Sequence, residues 1–272
     1  MPVPLVSRRR WEELPGNREV VDPARSRLRW LRDGDDHTHL GLFKRPPQDA
    51  ALREMYSVAL DRVGYVLGDA LGLPVVPVHL ETFEDEPGAV VLELRNHCSW
   101  STFLREGRRG RLINMDVIGL CVAFDIWLAN YDRAKKNVLL QPEPPELAWD
   151  SEPDYRLVLI DYGQTCLWPP AKMNLGEDDV PGAAEVGDGS TIREDLIVQR
   201  MDGGYWSVYR DLSDDDRAAV HARIQDMGDP VISAALEDIP EPFMTDDERE
   251  RTLDLLKARR DRVDDLSRGL LQ

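Results

Sequence analysis

The chain has 272 residues, of which 42% are apolar and 31% charged, with seven tryptophans. That is enough to bury a core in one large domain or two modest lobes, and it excludes a disordered chain. A formal net charge of −17 opposes phosphate backbones and anionic lipid surfaces, which argues against nucleic acid or membrane as a main partner.

Residues 1–26 are mixed and punctuated by proline, and are expected to form an N-terminal arm without a signal-peptide run. Arg27–Leu31 and His39–Lys44 read as strands joined by a turn at 32–36, where Asp33-Gly34 is a hairpin signal. Leu52, Tyr56, Ala59, Val63, Leu67 and Ala70 recur at helical spacing, and Gly72 with Pro74 ends that helix. Val75–Thr82 and Ala89–Leu94 read as strands around the acidic turn 84–88. Residues 27–95 are thus expected as a small antiparallel sheet with one helix, and 96–272 as a mainly helical second lobe, with a hinge near 94–96.

In the second lobe a helix is expected over 114–130, then a polar loop, a strand at 138–140 and another at 156–160. The run 117–129 is too short to span a bilayer and carries Asp125, so no stable membrane insertion is expected. Cys98, Cys121 and Cys166 are widely spaced without a CxxC pair, which fits a reducing cytoplasm and neither a disulfide framework nor a zinc site. Residues 163–189 are rich in Gly, Pro and acids and are expected without regular structure. Ser213 and Thr245 read as N-caps, the latter with Glu248 closing a capping box. Leu253, Leu256, Val263, Leu266 and Leu270 mark one face of a last helix.

The chemistry concentrates in Asn130-Tyr-Asp-Arg-Ala-Lys-Lys-Asn137 and Leu159-Ile-Asp-Tyr-Gly163. A transferring γ-phosphoryl group needs cations to hold it and a carboxylate to position the attacking hydroxyl. Mg²⁺ takes hard oxygen ligands, usually one or two from the protein. Asp132 and Asn137 on one loop supply a base and a metal oxygen, and Asp161 after an apolar strand supplies a second metal oxygen. The chain uses five lysines against 29 arginines, and Lys44 is the only lysine before Lys135. A lone ammonium at a strand end suits phosphate, and Glu54 on the following helix is placed to anchor it. The acidic segment 177–188 reads first as a solvated loop, with Ser190 or Thr191 as phosphorylation candidates; His37 and His39 read as exposed.

The Asp-x-x-x-x-Asn pair followed by a strand ending in Asp-x-Gly resembles the protein-kinase-like superfamily. In detail, Lys44, Glu54, the helix end Leu71-Gly-Leu-Pro74, Phe124–Arg133 and Leu159–Gly163 resemble the HipA-like kinases. Phosphoinositide-kinase-like proteins share the Asp-Arg-x-x-x-Asn loop. The resemblance covers about 27–165 and implies an α+β, two-lobed kinase-like fold with ATP and Mg²⁺ as cofactors. It implies that Asp132 orients or deprotonates the acceptor hydroxyl, Asn137 and Asp161 hold Mg²⁺, and Lys44, held by Glu54, contacts the α/β phosphates. Glu93 and Leu94 would meet the adenine through backbone groups. The acceptor is expected to be a protein Ser/Thr hydroxyl, with a small-molecule hydroxyl acceptor or a nucleotide-binding pseudokinase scaffold as alternatives. Two departures stand out: only Gly34 and Gly41 fall where a Gly-rich loop would cover the phosphates, and Ala134 replaces the histidine that often follows Asp-Arg.

Overall fold

The computed structural model describes residues 11–14, 20–21, 27–34, 40–45, 52–147, 152–168, 185–186, 197, 201, 203–241 and 243–271. His37, His39, Ser190, Thr191 and most of 177–188 lie outside these residues. The fold is α+β and two-lobed: a curled antiparallel sheet with one long helix, then a mostly helical region.

The first sheet contains β1 (Trp11–Glu13), β2 (Val20–Val21), β3 (Arg27–Asp33), β4 (Leu40–Arg45), β5 (Val78–Phe83) and β6 (Glu86–Leu92). Its order is β1-β3-β4-β6-β5, with β2 also on β3. Residues expected as an arm therefore add two strands to the sheet edge. The β5–β6 turn is tighter than the sequence suggested. Phe83 pairs with Glu86, so the turn is Glu84-Asp85, at φ 53° and 62°. Two successive left-handed residues match the right-handed strand twist, and short acidic side chains tolerate that conformation.

Helix α1 (Leu52–Ala70) packs on this sheet and runs to the expected stop. Beyond it, 74–76 depart from the expected strand. Val76 N–H donates to the Leu159 carbonyl (3.2 Å) and Leu159 N–H to the Pro74 carbonyl (2.7 Å). Pro77 lacks an N–H and follows this stitch between the two halves, so β5 starts one residue later.

A second sheet holds β7 (Cys98–Ser99), β8 (Val138–Glu143) and β9 (Asp154–Leu159), in that order. β7 is too short to carry periodicity and was not legible in the sequence. Short α2 (Trp100–Arg105) follows β7. The expected 114–130 helix is a 3₁₀ turn, Met115–Val117, leading into α3 (Ile118–Trp127), every residue of which is buried. Helices α4 (Gly203–Arg210), α5 (Asp214–Gln225), α6 (Asp229–Glu237), α7 (Asp246–Asp261) and α8 (Val263–Leu270) complete the second lobe.

The Ser213 cap and the Thr245–Glu248 capping box are both formed. The expected last helix is broken at Arg262, whose N–H bonds back to the Arg259 and Arg260 carbonyls. A further correction concerns 163–189, where β10 (Leu167–Trp168) and β11 (Glu185–Val186) pair antiparallel. No helix among the described residues is long and apolar enough to cross a membrane.

Candidate active site

Lys44 lies on the half-buried face of β4, whose alternate residues Gly41, Phe43 and Arg45 are buried on the other. Its Nζ donates to Asp61 Oδ2 at 2.8 Å and Asp161 Oδ1 at 3.2 Å. Burial alone would lower the Lys44 pKa, but the carboxylates of Asp161 and Asp61 reverse this and leave it above the ordinary lysine range, a fixed ammonium. Asp61 also accepts the Tyr162 N–H through Oδ1 at 2.6 Å. Burial raises the Asp61 pKa, against the pull of Lys44. One carboxylate on α1 thus fixes both the strand cation and the backbone of the Asp-Tyr-Gly turn.

Glu54, the anchor expected from sequence, has a side chain outside the described residues; among these residues Asp61 stands against Lys44. Asp61 lies two helical turns further on the same helix, an acid inside the apolar run Val58-Ala-Leu-Asp-Arg-Val63. That burial signal could have singled it out. One turn on, Gly64 faces the Tyr162 ring so closely that an added Cβ would lie 2.3 Å from Tyr162 Cγ. The Ser57 hydroxyl donates to the Gly163 carbonyl at 2.6 Å. The Asp-Tyr-Gly turn is therefore laid directly on α1, and Asp161 itself sits at φ 62°.

The second half of the site is the loop after α3. Ala129 turns the chain at φ 51°, and the Asn130 side-chain oxygen accepts the Asp132 N–H at 3.0 Å, an Asx turn. A 3₁₀ turn, Lys135–Asn137, then returns Asn137 to Asp132. Its Nδ2 donates to the Asp132 carbonyl at 2.7 Å and approaches the Asp132 carboxylate at 3.4 Å. Both side chains are buried, while Lys135 and Lys136 between them are exposed.

Arg133 holds this loop to the Asp161 strand. It is fully buried and pairs with Asp125 through Nε–Oδ2 at 2.8 Å and Nη2–Oδ1 at 3.1 Å. Its Nη1 donates to the carbonyls of Asn137 (2.8 Å) and Ile160 (2.7 Å). The guanidinium lies 4.7 Å from the Tyr162 ring centre. Asp125 also accepts from Asn130 Nδ2 at 2.7 Å and Tyr205 hydroxyl at 3.1 Å. Both Asp125 oxygens and four of the five guanidinium protons are thus partnered. Asp125 and Arg133 were not among the expected site residues, although a lone acid inside an all-apolar helix marked the former.

Glu93 and Leu94 follow β6 where the chain crosses between the sheets. The Glu93 N–H bonds to the Leu40 carbonyl at 2.8 Å, and the Leu94 carbonyl accepts from His97. Beside them Val76, Leu139 and Val158 form a small apolar cluster flanked by Leu92, Leu94 and Ile160. Asn96, at φ 49°, ties the crossing to the second sheet by donating to the carbonyls of Pro145 (2.8 Å) and Leu147 (2.7 Å).

The donor set fits a hard divalent cation. Asn137 commits its amide nitrogen to Asp132, which leaves its amide oxygen for a metal, and Asp161 adds a carboxylate. Among the described residues no group of three or more His, Cys, Asp or Glu could hold a metal by itself. Such a site would therefore depend on ligand oxygens and water for its remaining positions.

The fold is two-lobed and kinase-like. No protein-family model matches the chain, and no curated protein does. Among solved structures it is similar to a Helicobacter pylori proinflammatory kinase, CtkA, at 15% identity and a TM-score of 0.60. That superposition covers 98% of this chain and 97% of the other.

Proposed function

We propose that the chain is an ATP- and Mg²⁺-dependent phosphotransferase of HipA-like type acting on a hydroxyl, preferentially a protein Ser or Thr. The observation that carries this reading is the Lys44 ammonium clamped between Asp61 and Asp161, beside a loop that buries Asp132 against Asn137. Lys44 would hold the α/β phosphates, Asp61 would hold Lys44, and Asn137 with Asp161 would carry Mg²⁺, which would neutralise charge on the phosphates. Asp132 would orient the acceptor hydroxyl and take its proton as the new O–P bond forms and the bond to the β-phosphate breaks, releasing ADP. The apolar cluster of Val76, Leu139 and Val158 offers a surface for the nucleobase. Beside it, the Glu93 carbonyl and the Leu94 N–H have no hydrogen-bond partner among the described residues, and would supply its polar contacts. In this reading 27–95 and 96–272 are the two lobes that close on the nucleotide. The description of the CtkA structure as a kinase supports it at the level of fold.

The test is incubation with [γ-³²P]ATP and Mg²⁺, reading both protein-bound label and released phosphate. Label or phosphate release should fall by about 10²-fold or more in Asp132→Ala and in Asp161→Ala. ATP should raise the melting temperature with Mg²⁺ and much less with EDTA. Variants as active as the wild type would refute the assignment. Silence of all three, with ATP·Mg²⁺ still stabilising the wild type, would favour a nucleotide-binding scaffold.

A further inference from the structure

Outside the Lys44–Asp132–Asp161 site, the segment after the crossing between the sheets differs in charge from the rest of the chain. Residues 95–115 carry five arginines and a single acid in a chain whose net charge is −17. The same segment frames an apolar groove of about 270 Å³, formed by Trp100, Phe103, Leu104, Leu112 and Met115 with Tyr155 from β9. Leu104 and Met115 are 53% and 45% exposed, among the most open large apolar side chains of the described residues.

The arginines alternate with the groove residues along the chain. Arg105 follows Leu104 at the end of α2, and Arg109 and Arg111 flank Gly110, which lines the groove. Arg105 is 72% exposed and meets Glu106 only at 3.9 Å. Arg111, 76% exposed, pairs with Asp154 at 2.7 Å, a surface ion pair of small net value that a stronger carboxylate partner can replace. Arg109 is exposed and has no partner among the described residues. Among the described residues no arginine lines the slot itself, but guanidinium groups on residues next to its lining in the chain are suited to carboxylates in forked geometry, with a bulky side chain seated in the slot.

We infer that this groove docks an acidic peptide segment of a partner protein, anchored by a large apolar residue with Asp or Glu on either side. Charge argues for this occupant: the local positive rim would attract it while the rest of the acidic surface steers it to this face. A second copy of the chain would bring its own −17 and be repelled. A lipid surface suits projecting apolar side chains better than a concave slot. Tyr155 lies four residues before Leu159 on β9, about 13 Å along the strand at the usual rise per residue. On this side the groove lies away from Asp161, while α2 and Leu140 bring its other side against the Lys135–Asn137 turn; the inference does not depend on catalysis.

The experiment is selection of a randomised-peptide phage library on the full chain, with enriched peptides then measured by fluorescence anisotropy. Leu104→Glu, Arg105→Glu and Arg109→Glu alter exposed side chains, and unchanged melting temperatures confirm that each folds. The expected result is a motif of one bulky apolar residue among Asp and Glu. Its binding should weaken about tenfold or more in each variant and weaken in raised salt. Three results would overturn the inference. One is the absence of an enriched motif, and another is a motif that binds wild type and variants alike. The third is a groove that serves only anionic phosphatidylserine vesicles or a concentration-dependent dimer, either of which Leu104→Glu abolishes.

Discussion

Replacing Arg133 by methionine tests whether the buried Arg133–Asp125 pair organises the site. Both side chains are wholly buried, so the substitution leaves a carboxylate in the core with Asn130 and Tyr205 as its side-chain donors among the described residues. Breaking a buried pair from one side costs about 3–5 kcal/mol, a large share of a typical folding free energy of about 5–15 kcal/mol. With a urea slope of about 3 kcal/mol/M, the unfolding midpoint should drop by roughly 1–1.7 M. Adding Asp125→Asn removes the stranded charge and keeps one oxygen to accept from Asn130, while its amide nitrogen can donate to the Tyr205 hydroxyl oxygen. The double variant should therefore regain more than about 1 kcal/mol over Arg133→Met. Phosphotransfer should not return with stability, because the carbonyls of Asn137 and Ile160 still lack their shared donor. A single variant costing less than about 1 kcal/mol, or a double variant no more stable than the single, would refute the reasoning.

Asp61→Asn preserves an acceptor for the Tyr162 N–H but removes the charge facing Lys44. It should lower phosphotransfer by about tenfold or more while Glu54→Gln stays near wild type; the opposite ranking in the same assay would return the anchor to Glu54. Gly64→Ala pushes a methyl group into Tyr162, so it should destabilise by about 1–3 kcal/mol in thermal or urea denaturation, and a neutral outcome would contradict the close approach. His221 carries a third prediction, on pH. Its Nε2 meets the Tyr209 hydroxyl at 2.6 Å and its Nδ1 meets Asp264. Burial depresses its pKa despite the opposing pull of Asp264. The unfolded chain then binds the proton more readily, so this contribution is complete above about pH 6.5 and is lost as pH falls through the folded value. Melting temperature should drop more steeply between pH 7 and 5 in wild type than in His221→Gln; parallel profiles would exclude the effect.

What the sequence displayed was whatever local periodicity or local chemistry encodes. Helix α1 announces itself by its apolar spacing from Leu52 to Ala70, and the Thr245 capping box by a four-residue pattern. Asp132, Asn137 and Asp161 stood out in the sequence because the phosphotransfer expected of them needs fixed residue types at short spacing. The two-residue turn at Glu84-Asp85 was hidden, since only pairing of Phe83 with Glu86 selects it over the longer acidic stretch. The same holds for Val75 and Val76, which read as strand with β5 but pair with Leu159 of β9, more than 80 residues away in sequence. Long-range partners decide both, and no window of sequence contains them.

Asp61 was half legible, since an acid in an apolar run marked it as buried while its partners lie far off in sequence, and its position explains why the site holds together as one unit. Lys44 and Asp161 are 117 residues apart and Asp61 lies between them in sequence. A helix that moved away from the sheet would release the ammonium and the Tyr162 N–H together, because one carboxylate holds both. The Arg133–Asp125 pair works from the opposite side, joining the Asn137 and Ile160 backbones from beneath. Lys44 and the Asp132–Asn137 loop are thus fastened to separate buried carboxylates, Asp61 and Asp125. Both fastenings reach the Asp161-Tyr162-Gly163 turn, where Tyr162 bonds Asp61 through its N–H and lies against Arg133 with its ring. Any perturbation of that turn should act on both halves, whereas one confined to α1 or to α3 should be felt first in its own half.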